Sequence, residues 1–125
     1  MDSTHESTHV SGAEGLVILL TIATAAIHFY LVPGEFSKGA TGYGTAFILT
    51  GAGYLIALAL AFWPGSMPSS LHVLGKLAVA GIAIAAIIAY LSLGYFDTLG
   101  WVTKSIEAVL VLSVVLLLIG SDHST

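Results

Sequence analysis

Polar residues crowd the two ends of this chain, and four long apolar runs fill the space between them. The first run is Leu16 to Val32, stopped by Pro33-Gly34, and the second is Tyr43 to Trp63, stopped by Pro64-Gly65. The third is Leu71 to Leu93, stopped by Gly94, and the fourth is Trp101 to Ile119, stopped by Gly120. Each run is about 17–23 residues long, and about 20 residues of helix cross the hydrocarbon of a bilayer. Backbone amides cannot stay unpaired in lipid, so runs of this kind are helices. The spans of a β-barrel are shorter and alternate strictly, which these do not. The connections at 33–42, 64–70 and 94–100 are short, and short connections join antiparallel neighbours. The expected fold is all-α: an integral membrane, antiparallel up-down four-helix bundle over 15–120. A polar acidic tail precedes it at 1–14 and a short polar tail follows at 121–125.

Composition sharpens this picture. Of the 125 residues, 57% are hydrophobic and 8% are charged. Soluble domains carry about 25% charged residues, so an ordinary water-soluble globule is excluded. Three lysines and no arginine stand against seven acidic residues, which leaves no basic patch for nucleic acid or anionic lipid. Without cysteine there is no disulfide scaffold. The tail lacks the basic stretch of a secretory signal, so it is expected to stay on the mature protein. Aromatic residues gather at the ends of the runs: Tyr30, Phe36, Tyr43, Phe62, Trp63, Tyr90, Tyr95, Phe96 and Trp101. Amphipathic rings sit at that level in a membrane. Lys38 and Lys104 fall on one side, and Lys76 falls on the other with both termini. The positive-inside rule then favours termini outside.

Two stripes of small residues recur at a spacing of four: Gly53, Ala57 and Ala61 in the second run, and Gly81, Ala85 and Ala89 in the third. Such stripes let helices approach closely, and both are expected to pack the bundle internally, with docking of a partner chain as the alternative. The fourth run is almost entirely Val and Leu from Val109 to Leu118, a face suited to lipid or a partner.

Ionisable groups inside these runs call for an account, because a charge at mid-membrane costs about 2.5–3.5 kcal/mol on an insertion scale. At 1.5 Å of rise per residue, His28 lies about 6 Å below one face and Glu107 about 9 Å below the same face. They can meet if the first and last helices are neighbours, and a contact would satisfy both and let them share a proton. Thr21, Thr24 and Ala25 lie on the helical stripe that leads to His28, which turns the imidazole inward. Lys104, three residues before Glu107, can pair with it or snorkel outward. Tyr30, Tyr90 and Glu35 lie near that face and could extend the polar cluster. Lys76 enters from the opposite side, too far in depth for a bridge to Glu107, and is expected to snorkel toward the middle connection.

His5-Glu6-Ser7-Thr8-His9 fits the pattern H-E-x-x-H, in which two histidines bind zinc and the glutamate activates its water. It lies in a polar tail with no domain to form a cleft, so loose binding of Zn²⁺ or Cu²⁺ by His5, His9 and His123 is the stronger metal reading, and solvated tail histidines are the simplest. A b-type haem wants two axial ligands at one depth. Only His28 is so placed, unless a homodimer supplies two copies. No phosphate loop, nucleophile elbow or thiol nucleophile is present. No cofactor and no metal centre is expected, and no catalytic set.

The run Ala25-Ala26-Ile27-His28-Phe29-Tyr30-Leu31 before Pro33, the Gly/Tyr-containing start of the second span, and Lys104-x-x-Glu107 in the last span resemble small uncharacterised four-span membrane proteins of haloarchaea and actinobacteria. The resemblance covers the four spans but not the tail. It implies the same fold, draws attention to His28 and Glu107, and names no reaction.

The sequence therefore points to a small membrane protein without catalytic machinery. Its expected role is an accessory or structural subunit of a larger membrane complex, or a homo-oligomer, with the bilayer and other membrane chains as partners. The alternative is a small transporter, channel or proton-handling protein using His28 and Glu107.

Overall fold

The computed structural model describes residues 11–94 and 96–123. Among them are four helices: α1 (Gly12–Ser37), α2 (Thr41–Ala61), α3 (Ser69–Leu93) and α4 (Thr98–His123). Each is long and apolar enough to cross a membrane. The tail sequence His5-Glu6-Ser7-Thr8-His9 and Tyr95 lie outside the described residues.

The apolar runs and the helices differ at their ends, and capping chemistry explains why. α1 starts at Gly12 rather than Leu16 because Ser11 and Glu14 form a reciprocal cap. The Glu14 amide donates to the Ser11 hydroxyl at 3.1 Å, and the Ser11 amide donates to the Glu14 carboxylate at 3.0 Å. At its other end α1 runs through Pro33-Gly34, which the sequence suggested as a stop. It closes instead at Gly39, whose φ of 79° is open to glycine. The Gly39 amide donates to the Phe36 carbonyl and the Ala40 amide to the Glu35 carbonyl, the paired bonds of a Schellman end. Proline within a helix removes one backbone bond but does not by itself end it when neighbours hold the chain. α4 begins at Thr98, ahead of Trp101, because Asp97 accepts the Gly100 amide at 2.8 Å.

The helices pack in a ring: α1 on α2, α2 on α3, α3 on α4, and α4 back on α1. Close approach falls where a side chain is missing. Gly75 of α3 lies directly against the backbone of Ala57 and Ala61 of α2, and Ile82 reaches Gly53. The rings of Phe29 and Phe36 rest on Gly51 and Gly44. The Gly53, Ala57, Ala61 stripe packs within the bundle, with Ala57 and Ala61 buried. The other stripe does not: Gly81, Ala85 and Ala89 are exposed, and a Cβ on Gly81 would meet nothing. The face that α3 buries is Gly75, Val79, Ala80 and Ala83, because the glycine that admits α2 is Gly75.

The distribution of polarity is the reverse of a water-soluble bundle. Leu19, Ile56, Leu112 and Leu116 are exposed on the outside, while Thr21, Thr24, His28, Thr103, Glu107 and Ser113 are buried. The hydroxyls of Thr21, Thr103 and Ser113 donate to the carbonyls of Val17, Leu99 and Val109, one turn back on their own helices. Val17, Val79, Leu110 and Val114 are fully buried, with Leu110 between Glu107 and Ser113 along α4.

Candidate functional site

Residues at helical spacing on α4 (Thr103, Glu107, Leu110 and Val114) all turn inward. This stripe carries the carboxylate of Glu107 to the centre of the ring, where its exposure is 0%. Three helices meet it there. From α1, the Thr24 hydroxyl donates to Oε2 at 3.0 Å; from α2, the Tyr54 hydroxyl donates to the same oxygen at 2.5 Å. From α4 itself, Lys104 Nζ stands 2.5 Å from Oε1 as an ion pair at i,i+3, without hydrogen-bond alignment. A carboxylate can accept about four bonds and needs such partners when buried.

His28 completes the group. Its Nδ1 lies 2.7 Å from the Thr24 carbonyl. A carbonyl can only accept, so Nδ1 carries the hydrogen and donates. When the imidazole is neutral, Nε2 is therefore a bare acceptor. It lies 4.0 Å from Glu107 Oε2, beyond hydrogen-bond range but close enough for a charged ring to form an ion pair. The rings of Phe47 and Tyr54 hold the imidazole from two sides, each with centroids 5.8 Å away.

Above this group is a cavity of about 550 Å³. Its floor includes His28, Thr103 and Lys104, and its rim includes Glu35 in the last turn of α1, Lys38 just beyond it and Asp97 before α4. On α2 the wall is Tyr43, Ala46, Phe47 and Thr50; on α3 it is Ala86, Ala89, Tyr90 and Leu93. Both sets follow the spacing of a single helix face. They face each other across the gap that opens where the contacts of Gly53 and Gly75 end. The lining is mostly apolar, and Glu107 does not reach it.

Of the residues picked out in the sequence, His28, Glu107 and Lys104 come together. Tyr90 joins them indirectly. Lys104 Nζ lies 5.6 Å from its ring centre, while its hydroxyl accepts the Asp97 amide at 3.0 Å and so ties α3 to the start of α4. Tyr30 does not join: it is 77% exposed and points away, because it lies off the Thr24–His28 stripe. Glu35 pairs with Lys38 at 3.0 Å, at the rim. Lys76 reaches outward to the ring of Phe62 at 5.6 Å, in keeping with a lysine that snorkels toward the middle connection. His72 lies on that same opposite side with Nε2 buried and not hydrogen-bonded. Tyr54 was missed; the available signal was a lone phenol in the middle of an apolar run, where a hydroxyl needs a partner. Among the described residues, no group of three His, Cys, Asp or Glu side chains could hold a metal ion.

No family model matches this chain, and neither a curated protein nor a solved structure matches it.

Proposed function

We propose that this chain is a small multi-pass membrane protein, an antiparallel up-down bundle, whose His28–Glu107 pair takes up and releases protons from one side. The contact register supports the up-down path: Phe29 and Phe36 meet Gly51 and then Gly44, and Gly53 and Ala61 meet Ile82 and then Gly75. The observation that carries the functional reading is the cavity, which reaches His28 and leaves Glu107 sealed beneath it. A proton arriving at the bare Nε2 puts a charged ring 4.0 Å from a carboxylate that already pairs with Lys104, so the ring and the lysine share Glu107 as counter-ion. On the opposite side, fully buried Val17, Val79, Leu110 and Val114 block a continuous path. The arrangement suits one-sided proton exchange better than steady conduction. Infrared titration of the protein in lipid nanodiscs tests this. A change in the carboxyl band as the pH is lowered, across the range in which the protein stays folded, is expected. It should disappear in Glu107→Gln and lose that pH dependence in His28→Phe. A wild-type spectrum that is flat over the range rejects the reading.

A second reading, a subunit that packs beside another membrane chain or its own copy, is favoured by the outward stripe of Gly81, Ala85 and Ala89. Purification from the native membrane in mild detergent tests it: a co-migrating chain or a stable oligomer supports the role, and a lone monomer throughout rejects it.

A further inference from the structure

The proton reading uses the floor of the cavity and leaves its volume unexplained. Cavities of about 300–1,000 Å³, mostly apolar with a few placed polar groups, are the usual form of a small-molecule site. This one, at about 550 Å³, falls in that range. Its walls are Ala46 and Phe47 on α2 and Ala86 and Ala89 on α3. Ala46 and Ala89, one from each helix, stay exposed although they line the cavity, so it is open to an occupant from outside. Its mostly apolar lining, set between helices apolar enough to cross a membrane, suits an occupant that dissolves in lipid.

Of the charges lining the cavity, Lys38 is paired with Glu35 at the rim and Lys104 with Glu107 at the floor, while Asp97 at the rim accepts the Gly100 amide. The deep, apolar part of the cavity therefore offers no unpaired charge to an ionic occupant. Of the buried side chains that line it, Thr103 is already matched to the Leu99 carbonyl, which leaves His28 for recognition. Its side chain is about nine-tenths buried or more, at 6% exposure, and lines the cavity. Its Nε2 makes no hydrogen bond among the described residues, while Nδ1 is fixed as a donor by the Thr24 carbonyl. The neutral ring therefore offers one acceptor and no free donor. An acceptor recognises a hydroxyl and does not recognise a carbonyl or an ether.

We propose that the cavity binds a neutral, lipid-soluble molecule carrying a hydroxyl on a ring, with the hydroxyl donating to His28 Nε2 and the apolar body lying between α2 and α3. The edge of Phe47, already set against His28, flanks the ring of such a molecule. This inference shares His28 with the proton reading but does not rest on it: binding can hold where the infrared band is flat, and can fail where the band titrates.

The test compares para-hexylphenol with para-hexylanisole, which has a similar body and no hydroxyl proton. Binding is measured as the rise in the thermal unfolding midpoint of the protein in nanodiscs, at about pH 8, above the ordinary histidine range. Affinity is referred to each compound's concentration in the lipid, measured separately on protein-free nanodiscs, because the hydroxyl and the ether partition differently. The phenol should bind about five- to tenfold more tightly, the ratio one hydrogen bond supplies. His28→Phe should reduce phenol binding to the level of the anisole. Ala86→Phe, which fills the cavity from its α3 wall and alters neither Glu107 nor its hydrogen-bond donors Thr24 and Tyr54, should abolish both, and it keeps the test decisive if His28→Phe does not fold. Equal binding of the two compounds to the wild type would mean an acyl-chain slot only and would overturn the proposal. So would the absence of any binding, or a phenol preference that survives in either variant.

Discussion

The hydroxyl of Tyr54 donates to Glu107 Oε2 at 2.5 Å, joining the middle of α2 to α4 across the diagonal of the ring. Neighbouring helices around the ring contact one another directly. This bond links two that face each other through the core, and Thr24 brings α1 to the same oxygen. One carboxylate thus fixes the relative depth of three helices. Tyr54→Phe removes the hydroxyl and keeps the ring. It should destabilise the bundle by about 0.6–1.7 kcal/mol, the range measured for polar contacts between membrane helices. Reversible unfolding in mixed micelles measures it, and an unchanged stability would show that the brace is idle.

Removing the carboxylate is a larger change. Glu107→Ala leaves Lys104 without its counter-ion, and breaking a buried pair from one side costs about 3–5 kcal/mol. Replacing both, Lys104→Met with Glu107→Leu, should recover most of that loss, since an apolar pair needs no charge compensation. The same unfolding assay gives the comparison. A double variant no better than Glu107→Ala would mean that Thr24 and Tyr54, not Lys104, set the cost.

Much of this arrangement can be read along the chain. The four helices follow from the length of the apolar runs, and the meeting of His28, Lys104 and Glu107 follows from depth and from the Thr21–Thr24 stripe. Three things do not follow. The ends of α1 depend on the Ser11–Glu14 cap, which stands ahead of the apolar run, and on Gly39, which Pro33-Gly34 masks. The choice between two small-residue stripes depends on Gly75, which lies outside either repeat yet is where α3 meets α2. The cavity exists because α2 and α3 part beyond Gly53, a property of two helix axes that no local pattern encodes.

The two stripes give a direct contrast. A methyl on Gly75 would run into the backbone of Ala61, which cannot move aside as a side chain can. Gly75→Ala should therefore cost about 1–3 kcal/mol, as overpacking does. Gly81→Ala has open space around it and should be neutral or stabilising by up to about 1 kcal/mol through helix propensity. Thermal unfolding of the two variants side by side reads the difference, and equal effects would put the α2–α3 contact elsewhere.

The tautomer of His28 is open to direct observation. With Nδ1 donating to the Thr24 carbonyl, the neutral ring should give a protonated Nδ1 and an unprotonated Nε2 in the nitrogen spectrum of histidine-labelled protein. The opposite assignment would remove the bare acceptor from the floor of the cavity.

Lys104 and Glu107 belong to one helix, three residues apart. α4 therefore travels with its own counter-ion, and the buried hydroxyls of Thr103 and Ser113 are already matched to carbonyls one turn back. Such a segment can enter lipid alone as a nearly neutral rod, before the other three helices gather around it. Its carboxylate then recruits Thr24 and Tyr54 once assembly brings them within reach.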